Sequence, residues 1–337
     1  MKNCFVFLSI AFCVALAAAA DPVVLENRAL RVEIAPDSGR ISVREKNSDQ
    51  LWQQAAPTDG SGKTPPAQPG FVYRIVKVSL RTAVLERTFD AGKGSKLALK
   101  LSFVLPDGGA ADLRVEARAE DAQSPVGEIK FLEPFVLDAP HGVLAVADYG
   151  NGHLYPLDAQ PFPRNSFGGD RLDMPWLGLC DLDSGRGYLL LIETNDDSSV
   201  TMQKVAGKDG RPLVAPVVRW RGQKGAFGYP RSVLYHFAPS GGYVALCKRY
   251  RAYAKEHGLI VPFTEKLKKN ANLKRLFGAP DVWGNASLAF AREAKAAYGK
   301  APATEPAMCR GTEIPGSLPA GWVAGPSSRK QGGNRFG

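Results

Sequence analysis

Cysteine is scarce and irregularly placed. The chain of 337 residues has five. Cys4 and Cys13 fall near the N-terminus, and Cys180, Cys247 and Cys309 remain, an odd number with no regular spacing. A disulfide framework is not expected, and Cys180 and Cys247 read as buried small hydrophobes. Histidine is also sparse. His141, His153, His236 and His257 lie far apart and form no HxxxH or HExxH pattern, which argues against a zinc site. Serine hydrolysis lacks its Gly-x-Ser-x-Gly elbow. Gly92-Lys93-Gly94 lacks the spacing of a phosphate loop and reads as a hairpin turn. Past residue 20 no stretch is long and apolar enough to span a bilayer. Before Gly241 there is almost no helical periodicity.

What is present is an ordinary globular composition, 45% hydrophobic and 23% charged, with a net charge of +10. The basic residues are scattered, and only Lys266, Lys268, Lys269, Lys274 and Arg275 cluster. A solvated helix face accounts for them, and no nucleic-acid partner is expected. Residues 1–20 read as a signal peptide: Lys2, an apolar run from Cys4 to Leu16, then small residues before Asp21. The expectation is an exported protein, periplasmic or extracellular, with no membrane segment after cleavage.

Residues 21–240 read as one large antiparallel β-sandwich. "LRVEIAPDSGRISVREK" is two alternating strands around a Pro-Asp-Ser-Gly turn. Strands are predicted at Phe71 to Val78, Ala83 to Phe89, Leu97 to Leu105, Asp112 to Ala119, Val126 to Leu137 and Val143 to Asp148. More follow at Met174 to Cys180, Gly187 to Glu193, Ser199 to Lys204, Leu213 to Arg221 and Ser232 to Phe237.

The densest run of special residues is Asp148 to Asp197. A loop rich in Gly, Pro, Asn and Asp (Asp148 to Asp173) leads into a hairpin that turns at Asp183-Ser184-Gly185. The segment carries Asp148, Asp158, Asp170, Asp173, Asp181 and Asp183. Aspartate is the usual turn former, so turn and capping roles come first. Asp170 and Asp173 are the candidate substrate contacts, because Trp176 lies nearby and sugar sites combine carboxylates with aromatic rings. Core packing is the competing role of Trp176. No cofactor is indicated; calcium could be held by aspartate and backbone oxygens of this loop, but Asn195 to Ser199 is too short to define such a site.

Residues 241–277 read as a helical linker. Val244, Cys247, Tyr250, Arg251 and Ala254 share one face of the first helix, Gly258 sits at its C-terminal cap, and Thr264 is the expected N-cap of a second. Residues 278–297 read as a strand followed by a helix capped by Asn285, the opening unit of an α/β domain. Residues 298–337 are rich in Pro and Gly without periodicity and read as a disordered tail, whose abrupt start suggests a truncated or frame-shifted reading of a longer protein.

Three stretches carry a resemblance: FGGDRLDMPWLGL from Phe167, YHFAPSGGYVALCKRYRAYAKEHG from Tyr235 and LKRLFGAPDVWG from Leu273. As a set they resemble the bacterial glycoside hydrolases of families 101 and 129, endo-α-N-acetylgalactosaminidase-like and α-N-acetylgalactosaminidase enzymes. The resemblance runs from Pro22 to Ala297 and is loosest in the early strands. It implies a galactose-mutarotase-like supersandwich ahead of a (β/α)8 barrel, incomplete here, and a carbohydrate partner. It also implies retaining hydrolysis by two carboxyl groups on later barrel strands, neither of which can be placed on this chain. By the same resemblance, Asp281 and Trp283 at the end of the first barrel strand become candidate sugar contacts, with core packing the competing role of Trp283. Two other readings stand beside it. One is a non-catalytic sandwich that binds carbohydrate or acts as a scaffold. The other is a mutarotase-like epimerase, which needs a His and a Glu in one cleft.

Overall fold

The structure is a computed structural model. It describes residues 21–277, apart from 37, 57–73, 93–94, 108–109, 124–126, 149–150, 169–171 and 223–224, together with residue 296. The signal-peptide segment, the 278–297 unit with Asp281 and Trp283, the tail and Asp170 therefore lie outside the described residues. The chain divides into two compact units, Met1–Tyr253 and Ala254–Gly337.

The first unit is almost entirely antiparallel sheet. A four-stranded meander comprises β1 (Val23–Glu26), β2 (Leu30–Ile34), β3 (Ile41–Glu45) and β4 (Leu51–Gln53). There follow β5 (Arg74–Lys77), β6 (Thr82–Gly92), β7 (Ser95–Val104), β8 (Asp112–Ala119), β9 (Glu128–Lys130) and β10 (Gly142–Asp148). Next come β11 (Asn151–Pro156), β12 (Ser166–Gly168), β13 (Leu172–Asp181) and β14 (Gly187–Ile192). The last strands are β15 (Ser198–Ala206), β16 (Pro212–Arg221) and β17 (Arg231–Ala238). A nine-stranded sheet has the order β11-β10-β13-β14-β17-β8-β7-β6-β5, and a third sheet has β12-β15-β16-β9.

Side-chain alternation decides how these sheets pack. β2 and β3 bury every second residue, as half-buried strands do. β14 is buried along its whole length because both faces of its sheet are covered. One face joins the two smaller sheets in a single large core, through Tyr188, Leu190, Ile192, Tyr235 and Phe237. Its centre is aromatic. Phe135 meets Tyr235 at 5.2 Å and Phe237 at 5.4 Å, and Trp52 meets Tyr188 edge-on at 5.6 Å. The polar atoms there are matched: Tyr188 Oη donates to the Phe135 carbonyl at 2.9 Å, and Trp52 Nε1 donates to Glu45 at 2.6 Å.

The other face carries a smaller core of Val143, Ala145, Trp176, Cys180, Leu189, Leu191, Leu234 and Ala238. Leu246 of helix α1 (Gly242–Glu256) closes it, with Tyr250 and Tyr253 packed against it. The buried stripe of α1 is thus turned from the one the sequence suggests. Val244 and Cys247 are exposed, and Arg249 faces the sheet. An arginine on the inward stripe hides the true face from a hydrophobicity count.

The second unit contains the last residues of α1, then α2 (Phe263–Lys269) and a 3-10 turn, Ala271–Leu276. Gly258 ends α1 at φ +69°: its N–H bonds Lys255 O, and Leu259 N–H bonds Ala254 O. That is the Schellman pattern, which a left-handed glycine permits. Thr264 does not cap α2. Pro262 stands at that position with no side-chain bond.

Two further sequence expectations need correction. Asp148 to Asp173 is not one long loop, since β11 and β12 lie within it. Both are edge strands, where breakers and polar residues are tolerated. Val126 to Leu137 is strand only over β9, and beyond it the chain is irregular apart from a single bridge, Phe135 to Gln54.

Candidate functional site

The β13–β14 hairpin lies within the nine-stranded sheet. Its strands pair from Trp176 with Leu191 to Cys180 with Gly187. The turn is organised by Asp181, whose carboxylate accepts from Ser184 Oγ at 2.6 Å and from two backbone N–H groups. Burial pushes this carboxyl up, but those bonds and Arg186 outweigh it and hold it below the usual range. Gly185, at φ +70°, presents its carbonyl to Gly242 N–H at 2.8 Å. A Cβ there would meet Gly241 N at 2.7 Å, so the hairpin tip needs glycine to seat the start of α1.

The central aspartates fill separate structural roles. Asp183 is exposed and pairs with His141 at 2.8 Å, and Asp158 lies 3.6 Å from Arg211. Asp148 is buried and ion-paired with Arg164, whose guanidinium lies 4.9 Å over Phe167. Asp197, within the Asn195 to Ser199 stretch, is held at 2.7 Å by the fully buried Arg231, whose guanidinium lies over the rings of Phe227 and Tyr229. Among the described residues no group of three or more His, Cys, Asp or Glu could hold a metal ion.

Asp173 and Trp176 lie where the β10–β13 ladder slips: pairing jumps from Val146–Leu177 to Asp148–Leu172. Pro175, without an N–H, sits in that slip. Asp173 is exposed, whereas Trp176 is only 3% exposed, with its ring 6.0 Å from Tyr250 beneath α1. The structure therefore does not bring the two together on an open surface.

The best-defined charged constellation is one that sequence spacing does not reveal. Asp112 and His236 are cross-strand partners on β8 and β17. Asp112 accepts from His236 Nδ1 at 2.6 Å and from Arg249 Nη2 of α1 at 2.6 Å. Burial raises the Asp112 carboxyl, but these two partners outweigh it and leave it below the usual range. Beside it, Arg114 Nε donates to Glu193 at 2.6 Å, and Tyr253 Oη donates to the other Glu193 oxygen at 3.4 Å. Burial and the Glu193 charge push the Tyr253 hydroxyl up to about 12. The layer joins β8, β17 and α1. It is satisfied from within and holds a helix.

A half-open cleft of about 170 Å³ lies where β6 approaches β9, lined by Arg87, Glu128, Lys130, Phe131 and Glu133, among others. It is smaller than the pockets of roughly 300–1,000 Å³ that hold drug-sized ligands. Its charges are engaged: Lys130 donates to Glu133 at 2.5 Å and to Gln203 at 2.8 Å. Phe131 is fully buried and offers no open ring.

No family model matches the sequence, and no curated protein does. Solved structures do. The α-N-acetylgalactosaminidase NagBb from Bifidobacterium bifidum, in complex with GalNAc, superposes with a TM-score of 0.60 at 16% identity, over 79% of this chain and 45% of that one. In fold, this chain is similar to part of that enzyme. It spans less than half of the enzyme's length. A galactose mutarotase-like protein from Lactobacillus casei ATCC 334 superposes more distantly, with a TM-score of 0.39 at 14% identity over 64% of this chain and 99% of that one.

The epimerase reading needs a histidine beside a glutamate, and the structure places three of the four histidines. His236 is engaged by Asp112, His141 by Asp183, and His153 stacks on Tyr155 at 5.5 Å. None of these pairs is the His and Glu that an epimerase needs.

Proposed function

We propose that residues 21–240 are the sandwich portion of an exported glycoside hydrolase acting on α-linked N-acetylgalactosamine or a similar sugar. Its role is to support and orient. The observation that carries this reading is the superposition on less than half of an α-N-acetylgalactosaminidase at a TM-score of 0.60. The carboxylates support it too. Asp148, Asp158, Asp181, Asp183 and Asp197 serve turns or ion pairs, whereas retaining hydrolysis needs two carboxyl groups about 5–5.5 Å apart across the scissile bond. In this reading α1 is seated on the hairpin tip and clamped to the sheet by Asp112.

The test is turnover. The purified chain should not release nitrophenol from a nitrophenyl α-N-acetylgalactosaminide above a blank. Isothermal titration with GalNAc and mucin-type glycans separates a support from the second reading, a carbohydrate-binding sandwich. Saturable heat would favour binding. Export is tested by N-terminal sequencing of the secreted product, which should begin at Asp21.

A further inference from the structure

Neither α2 nor the 3-10 turn Ala271–Leu276 buries a single residue. The two are nevertheless folded against one another. Asn270 N–H bonds Lys266 O at 2.9 Å, and the Asn270 side chain accepts from Asn272 N–H at 3.0 Å. Across that turn Phe277 meets Phe263 edge-on at 5.3 Å. Leu259, Ile260, Val261 and Leu276 adjoin this ring pair in sequence, and all six residues are 39–61% exposed. The same stretch concentrates positive charge. Residues 259–277 hold five lysines and arginines against one acid, Glu265. Lys268 takes Glu265 at 2.8 Å, and Lys266, Lys269, Lys274 and Arg275 pair with no carboxylate among the described residues. Lys266 comes three residues after Phe263 and Lys274 three before Phe277, the spacing at which helical side chains are neighbours. Cations therefore border the exposed rings.

An apolar patch alone suits many partners, and here charge selects among them. A second copy of the chain would set cations against cations. A polyanion such as nucleic acid would leave the exposed aliphatic side chains without a partner. A bilayer with anionic headgroups matches both features: the acyl boundary takes the apolar side chains and the phosphates take the cations. We propose that residues 259–277 are an interfacial anchor that lays the chain on an anionic phospholipid surface. Phe263, Phe277, Leu259, Ile260 and Val261 enter the boundary between headgroups and acyl chains, and Lys266, Lys269, Lys274 and Arg275 meet the phosphates. The long lysine stems suit this depth, because they stay among apolar groups while the ammonium reaches outward. The segment lies on the bilayer and does not cross it: among the described residues no helix is long and apolar enough to do so. This goes beyond the hydrolase reading and stands whether or not that reading holds.

The experiment adds vesicles to the folded full chain and follows amide exchange by mass. Phosphatidylglycerol mixed into phosphatidylcholine should slow exchange in the peptides that cover residues 259–277, and phosphatidylcholine alone should not. The readout is local, so binding by residues 1–20 does not imitate it. Co-sedimentation with the same vesicles gives the affinity, which should weaken as salt screens the attraction. Replacing Lys266, Lys269 and Lys274 together by glutamine should lower the affinity about tenfold or more. Phe263→Ser with Phe277→Ser should weaken it at unchanged charge. All five side chains are on exposed residues, so the melting temperature should hold in both variants. Unchanged exchange in residues 259–277 with phosphatidylglycerol vesicles would overturn the proposal. So would equal protection by phosphatidylcholine alone, vesicle binding that the phenylalanine variant leaves intact, or a lipid-free dimer that already protects these residues.

Discussion

Asp112→Ala removes a carboxylate that joins β8, β17 and α1. It takes away acceptors at 2.6 Å from both His236 and Arg249. Breaking a fully buried ion pair by deleting one partner costs about 3–5 kcal/mol. Here the Arg249 and His236 side chains keep 18% and 20% of their surface, so water recovers part of the loss. The expected cost is about 2–4 kcal/mol. At a urea m-value of about 3 kcal/mol/M, the midpoint should fall by roughly 1 M. The loss should be felt first where the clamp acts. Amide exchange in Tyr243–Tyr253 should accelerate more than in β14, and Trp176 fluorescence should shift red as α1 loosens over it. A midpoint within about 0.2 M of wild type, with α1 exchange unchanged, would refute the assignment of Asp112 as the clamp.

The same carboxylate predicts a pH dependence. Its folded value lies below the ordinary 3.8, so its contribution is complete above that pH and is lost as pH falls through the lower folded value. The stability gap between wild type and Asp112→Asn should therefore shrink in acid melts below about pH 4. Arg231→Leu should cost about 3–5 kcal/mol, because it strands Asp197, only 15% exposed, and removes the guanidinium that lies over Phe227 and Tyr229; thermal melts would show it. Two glycines should separate cleanly. A Cβ at Gly178 would meet Leu246 Cδ1 at 2.6 Å, a side chain that can shift with α1, at about 1–3 kcal/mol. A Cβ at Gly187 would run into the Leu179 carbonyl and the Cys180 backbone, so Gly187→Ala should be the more damaging in soluble yield and melting temperature.

Most strands were legible because their periodicity is local. Asp112–Ala119 is found with the bounds that alternation gives it, and the Asp-Ser-Gly hairpin falls where its turn residues put it. What escaped depends on partners distant in sequence. β11 and β12 are edge strands whose pairing is decided by neighbours, so their own Pro and Gly content made them look like loop. The inward face of α1 was misread because Arg249 finds its partner 137 residues away. Cys247 likewise was expected inside and lies exposed. The reading of Trp176 turned on burial, which residue type alone does not reveal.

The candidate site was less legible than the fold. Asp170, Asp281 and Trp283 fall outside the described residues, and Asp173 and Trp176 sit on a ladder slip that no spacing rule announces. The Asp112–His236–Arg249 layer has sequence separations of 124 and 137 and no motif. The cross-strand register of β8 and β17 and the packing of α1 on that sheet bring it together.

The central claim is that this sheet body supports chemistry without performing it. The direct measurement is the rate at which the purified chain, shown folded by its circular dichroism and cooperative urea transition, cleaves a nitrophenyl α-N-acetylgalactosaminide. The account predicts the rate of the blank. Steady turnover that saturates with substrate and disappears when the chain is unfolded would contradict it.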